Sequence, residues 1–323
     1  MTDPTPPSWE RATLEKIALR ALDEQRRARQ WSILFRLLWL SIVFLVVAAM
    51  LGWIGGGSKE PIRTGKHTAL VELKGVIGVE SKASADKMIL ALGAAFKDRN
   101  TQGVVLRINS PGGSPVQSGY INDEIRRLRA KHPEIPLHVV VQDLCASGGY
   151  YVAVAADRIY VDKASLVGSI GVIMGGFGFT GAMEKLGVER RSYTAGENKD
   201  FLDPFVPENP AHREHVKKML GEIHEQFIKV VRQGRGKRLK ETPETFSGLV
   251  WTGERAVELG LADGFGSLES VARDVIKAEH VVDFTPDDNY FDQLSKRLGA
   301  SAAESALRAA AAELAARAAP SLR

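Results

Sequence analysis

Between Arg36 and Gly55 the chain reads LLWLSIVFLVVAAMLGWI without a charged residue. At about 1.5 Å of rise per residue this stretch just crosses a hydrocarbon layer of roughly 30 Å, so it predicts a membrane-spanning helix over 37–54. Trp31, Trp39 and Trp53 stand near its ends, where amphipathic rings prefer the interface, and Gly55, Gly56 and Gly57 stop it. A buried core helix would need polar interruptions or an apolar partner. Arg26, Arg27, Arg29 and Arg36 crowd the N-terminal flank against Lys59, Arg63 and Lys66 on the other. That asymmetry keeps the N-terminus inside. A polar leader of this length argues for an uncleaved anchor rather than a signal peptide. The chain then divides into a cytoplasmic leader (1–36), an anchor in the inner or cytoplasmic membrane (37–54), a linker (55–67), a periplasmic or extracellular domain (68–280) and a tail (281–323). Leu14, Ile17, Leu19 and Leu22 give the leader a helical face, equally compatible with a solvated segment.

Beyond the linker the pattern changes. Short β-branched runs alternate with amphipathic stretches: ALVELKGVI, KMILALGAAFKD, GVVLRIN, YINDEIRRLRAKH and LHVVVQD. This is βαβαβ order, with strands apolar on both faces, and it predicts an α/β domain built on a mainly parallel sheet. YYVAVAA continues as a helix, RIYV and GSIGVIM as strand-like runs. Residues 195–210 carry Pro204, Pro207 and Pro210 and no apolar period, which reads as a long loop. A helix resumes near Ala211; GERAVELGLADGFGS reads as a helix with a glycine stop, and SLESVARDVIKA as another helix. After Leu298 the sequence is alanine-rich and of low complexity, with Leu307 and Leu314 one heptad apart.

Composition changes this picture little. The apolar and charged fractions, 44% and 25%, are those of a globular protein. A net charge of +4, with both signs interspersed, leaves no basic stripe for nucleic acid. The single cysteine, Cys145, rules out an intramolecular disulfide.

Candidate chemistry lies in two glycine-rich turns that end predicted parallel strands, where open α/β sheets place their sites. One is Asn109–Ser114 (NSPGGS); the other is Ala146–Tyr151 (ASGGYY). A strand turning sharply into a helix presents the first helical residue to the cleft beside free backbone N–H groups. That suits Ser147 as a nucleophile, with the N–H groups of Gly148 and Gly113 facing an oxyanion. Phosphate-binding or purely structural turns are the alternative; no Walker pattern and no full dinucleotide fingerprint is present. For a base, no histidine falls between Val139 and Ala211. His212 and His215 remain as distant partners, and they lack the spacing of the His-Glu-x-x-His metal motif. Lys199, flanked by Asn198 and Asp200 in the long loop, can serve if desolvation or positive neighbours keep it neutral. Taken alone, it also fits a solvated surface charge. Cys145 reads as a small core residue rather than a thiol nucleophile.

Together these residues resemble a known family, the bacterial signal peptide peptidases A, in its short single-copy form. The resemblance rests on NSPGG (109–113), ASGGYY (146–151), GSIGV (168–172), the Lys199-Asp200 loop, and WTGERAVELG (251–260) with Asp263 and Gly264, in the family's order over roughly residues 68–275. It implies a Clp-protease/crotonase-like fold of repeated ββα units preceded by one transmembrane helix. It also implies a membrane-anchored serine endopeptidase with Ser147 as nucleophile, Lys199 as general base, Ser169 orienting that lysine, and Gly113 and Gly148 as oxyanion donors. No cofactor and no metal would be needed. The expected partners are remnant signal peptides, the membrane and further copies of the chain in a ring; nucleic acid is not expected. Three rivals share parts of the pattern. They are a related protease acting on other membrane or exported proteins, an acyl-CoA enzyme of the crotonase type, and a noncatalytic scaffold. The alanine-rich tail and the long leader are not part of the shared pattern.

Overall fold

The computed structural model describes Arg27, residues 29–45 and residues 65–286. It falls into two units, Met1–Arg63 and Thr64–Arg323. In the first, residues 29–45 are helical and their apolar side chains, from Trp31 to Leu45, are exposed. Among the described residues no helix is long and apolar enough to cross a membrane. The second half of the apolar run (46–54) lies outside the described residues, as do most of the leader, most of the linker and the tail from 287.

The second unit is built on an eight-stranded sheet. Strands β1 (His67–Lys74), β2 (Thr101–Ser110), β3 (Leu137–Ala146), β4 (Arg158–Val161), β5 (Leu166–Gly168), β6 (Val250–Thr252), β7 (Gly264–Phe265) and β8 (Val281–Asp283) take part. The main path runs β6-β5-β3-β2-β1-β8, while β4 pairs with both β3 and β7. Every pairing is parallel except that of β5 with β6. The expected α/β class with a mostly parallel sheet is therefore what the chain forms. The sheet runs three residues past the expected domain end at 280, because Val281–Asp283 hydrogen-bond along β1.

Both faces of the central strands are covered, which is why those strands are continuously apolar. Alternate residues feed opposite sides. Val71, Leu106 and Val139 join the larger core beneath α1 (Ala85–Lys97) and α2 (Pro115–Lys131). Leu70, Val105 and Val140 pack instead with Leu268 and Val271, from the helical segment 268–276.

Helix α2 starts earlier than the apolar run YINDEIRRLRAKH implies. Pro115 occupies its first turn, and the Ser114 hydroxyl accepts from the Gln117 N–H at 3.4 Å. The strand expected through GSIGVIM ends at Gly168. Past it the chain leaves the sheet, and α4 (Thr180–Leu186) follows, a helix the sequence pattern did not announce. α3 (Gly148–Ala153), α5 (Pro210–Arg235) and α6 (Gly253–Glu258) complete the set.

A buried ionic knot ties α5 to the sheet. Arg235, 1% exposed, donates two hydrogen bonds to Asp263, at 2.8 and 2.9 Å, and one to the Gly260 carbonyl at 2.7 Å. Asp263 also accepts from the Ile159 N–H at 2.7 Å and from Arg238 at 3.0 Å. Burial alone would raise the Asp263 carboxyl, but these donors and cations outweigh it and hold the group below the usual carboxylate range.

Candidate active site

The site forms where β2 and β3 end side by side. Ser147 sits between β3 and α3 with φ at 51° and ψ at −122°, a conformation that L-residues rarely adopt. Its N–H donates to the Gly168 carbonyl at 2.8 Å, which fixes the turn against the end of β5. The β3–β5 register pairs Ala146 with Gly168, so Ser147 and Ser169 each come directly after a paired position on adjacent parallel strands. Ser169 also has a positive φ, 51°, and its N–H donates to the Leu249 carbonyl at 2.8 Å. Strained serines at such positions are characteristic of functional turns, where the surrounding structure must hold them in place.

The two candidate oxyanion donors lie against each other. A Cβ built on Gly148 would come to 3.2 Å from the Gly113 nitrogen, so the two backbones meet at a distance only glycine permits. Gly113 itself has φ at 147° and is pinned by Ile77, whose N–H donates to the Gly112 carbonyl at 2.8 Å and whose carbonyl accepts from the Ser114 N–H at 2.9 Å. Those bonds leave the Gly113 N–H itself with no acceptor among the described residues. Gly148 opens α3, where the first N–H groups have no partner inside the helix.

Gly113, Ser147, Gly148 and Ser169 all line one groove of about 790 Å³. Lys199 does not. It stands exposed in the segment between α4 and α5, and its side chain makes no hydrogen bond or ion pair among the described residues. That segment is nonetheless ordered by contacts of its own. Arg190 pairs with Asp203 at 3.0 Å, the Phe179 N–H donates to the Pro204 carbonyl at 2.8 Å, and Phe201 packs edge-on against His212 and His215. Both imidazoles are thus occupied with an aromatic ring. Cys145 is wholly buried in the core and its thiol is pushed up by that burial, so it faces away from the chemistry.

Sequence reasoning missed Ser118, Tyr151 and Phe227 as groove residues. For Ser118 a signal existed: it lies one turn into the helix that Ser114 and Pro115 announce, and its hydroxyl packs against Gly148.

The family model for peptidase family S49 matches residues 129–282, the stretch that contains Ser147, Ser169 and Lys199. That stretch carries a peptidase family S49 domain. A putative signal peptide peptidase of Enterococcus faecium is 32% identical over 189 residues, which are 58% of this chain and 54% of that one. A putative protease of Methanocaldococcus jannaschii is 35% identical over 194 residues, 60% of this chain and 61% of its own. A Brucella melitensis chain named Na(+)/H(+) antiporter NhaA is 49% identical over 179 residues, 55% of this chain. The shared part is 24% of that protein, so its name describes a much longer chain than the S49 segment. This chain thus spans about a quarter to three fifths of the length of these relatives.

Proposed function

We propose that this chain is a membrane-anchored serine endopeptidase that degrades cleaved signal peptides in or at the membrane, on its outer side. The observation that carries the reading is the strained Ser147 at the mouth of a helix, with the Gly113 and Gly148 N–H groups beside it and Ser169 in the same groove. In this mechanism the neutral amine of Lys199 takes the proton of the Ser147 hydroxyl as the serine oxygen attacks a peptide carbonyl. The two glycine N–H groups hold the tetrahedral oxyanion, and Ser169 orients the lysine as a positioning residue. The protonated lysine then gives its proton to the leaving amine. Water, activated by the same amine, hydrolyses the acyl-enzyme and frees Ser147.

Lys199 reaches this groove, in our reading, from a neighbouring copy in a ring-like homo-oligomer. Its own side chain is exposed and unpartnered among the described residues, and outward-facing apolar side chains occur both in its segment, with Tyr193 92% exposed, and between β5 and α4, with Ile173 92% and Phe177 81% exposed. Packed against a second copy, such side chains leave water and a lysine among them becomes desolvated. An apolar groove on a chain that also carries an apolar N-terminal run suits substrates of signal-peptide character.

The test is hydrolysis of detergent-solubilised signal peptides by the full chain, with product masses and covalent labelling by a serine-reactive phosphonate. Labelling confined to Ser147, and turnover lost in both Ser147→Ala and Lys199→Ala, is expected. Cleavage at the parent rate by either variant refutes the mechanism. Preferential cleavage of folded exported proteins instead of signal peptides refutes the substrate assignment alone.

A further inference from the structure

The groove around Ser147 is walled largely by apolar side chains, among them Val116, Tyr151, Ile223 and Phe227, and among the described residues that line it one is charged: Asp123. Residues 116, 119, 120 and 123 of α2 all line it, the spacing of one helix face, so Asp123 belongs to the same wall as Val116 and Tyr120. Its carboxylate is exposed and forms no hydrogen bond or ion pair among the described residues. The neighbouring Arg126 lies within electrostatic reach of Asp123, but its hydrogen bond goes to another side chain. It donates from Nε to Asn122 at 2.8 Å, and Asn122 in turn donates to the Tyr151 carbonyl at 2.6 Å. The Tyr151 hydroxyl is pushed up first by burial and then by the negative charge of Asp123, with Arg126 pulling the other way, so Asp123 and Arg126 both act on this wall of the groove.

We propose that Asp123 determines specificity, selecting peptides that carry Lys or Arg two or three residues from the bond cut; the inference rests on the peptidase reading above. Ser118, packed against Gly148, lies five residues before Asp123, about 7.5 Å along a helix axis. An extended peptide advances about 3.3 Å per residue, so a substrate threaded past Ser147 meets Asp123 two or three residues on. A long basic side chain lays its methylene stem along Tyr151 and Phe227, whose rings pack 5.1 Å apart, and places its cation at the carboxylate. A glutamate at the same place meets a like charge in an apolar channel, which disfavours it.

The experiment uses the full chain in detergent and one apolar peptide with Lys, Gln or Glu scanned across the positions flanking the scissile bond. The readout is the ratio of kcat/KM for Lys over Gln at each position. A ratio of about five to ten is expected at one position, shrinking at high salt. It should fall to about one in Asp123→Asn, persist in Asp123→Glu, and reverse in favour of Glu in Asp123→Lys. A ratio near one throughout the native scan, or a native ratio preserved in Asp123→Asn, overturns the assignment. Fluorescence anisotropy of the same peptides on Ser147→Ala, with and without Asp123→Asn, separates the two claims. If the native chain cuts no peptide the peptidase reading fails, while lysine-dependent binding lost with Asp123→Asn still upholds this role and its absence still refutes it.

Discussion

Ser147 and Lys199 belong to parts of the molecule that are held in place by different means. The serine's turn is wedged between β3 and α3, its backbone bonded to the end of β5, with Gly148, Gly149 and Tyr150 buried behind it. Folding the sheet is enough to set its geometry. The lysine rides on a segment that crosses the surface between α4 and α5, held by the Arg190–Asp203 pair and a Phe201–His212 contact, both on the outside. Surface contacts of this kind are each worth at most about 1 kcal/mol, so they shape the segment without burying it. In the proposed mechanism the chain presets the nucleophile and oxyanion side of the chemistry and leaves the base to be completed by docking of a second copy.

The strongest way to break this contrast is to separate the two halves between chains. Ser147→Ala and Lys199→Ala should each lose activity by a factor of about 10³ to 10⁶. Co-assembled from a denatured or dissociated mixture, they should regain turnover, because one variant supplies an intact serine and the other an intact lysine. If both groups act within one chain, every mixed assembly stays inactive and the docking account fails.

On the core side the largest effect expected is on stability. Arg235→Ala leaves Asp263 buried without its bidentate partner, and loss of one member of such a pair costs about 3–5 kcal/mol, measurable by chemical denaturation. The pH dependence follows from the same knot. Because the folded-state carboxyl lies below its unfolded value, its contribution is complete above about pH 4 and drains away as pH falls through the folded value. Arg235→Ala should flatten that acid limb as well as lower the plateau.

Glycines with positive φ let the two regions be compared in one substitution. At Gly113 a Cβ would collide with the Ile77 backbone, whereas at Gly196, with φ at 113°, the nearest atom is the Lys199 Cβ at 4.0 Å. Gly113→Ala should therefore cost about 2–4 kcal/mol and disturb the oxyanion side of the groove, and Gly196→Ala about 1 kcal/mol from backbone strain alone. Equal costs would mean that the groove wall is no stiffer than the surface segment.

The same division explains what could be read from the sequence. The βαβαβ order was legible because β1, β2 and β3 are long, β-branched and buried on both faces, and their helices carry a 3.6-residue period. The glycine turns that carry Ser147 and Gly113 were legible because they follow directly on those strands. The two- and three-residue strands β6, β7 and β8 were not, since they have too few residues to show a period and exist through partners far along the chain: Trp251 opposite Val167, and Gly264 opposite Tyr160. Helix α4 was missed for a related reason. None of its residues is buried, so it has no apolar stripe to betray it. The place of Lys199 was not legible either, because a charged residue in a proline-rich loop looks the same whether it meets solvent or a second copy.

The smallest effect expected lies on the buried side of the sheet, at His138. This imidazole is 6% exposed, packs edge-on against Tyr160, and its Nδ1 has no hydrogen-bond partner among the described residues. Burial lowers its pKa; Asp157 and Asp263 pull the other way, and Arg158 and Arg129 add to the lowering. The folded form therefore prefers the neutral ring. Stability from this group is complete above the unfolded value of about 6.5 and declines as pH drops from there toward the folded value. His138→Leu removes both the titration and an unsatisfied polar atom. Its stability at pH 8 should stay within about 1 kcal/mol of the parent, while the slope between pH 7 and 5 becomes shallower. A parent-like slope in that variant would assign the limb to another group, and a loss of several kcal/mol at pH 8 would show that the ring holds a polar contact it does not make in this structure.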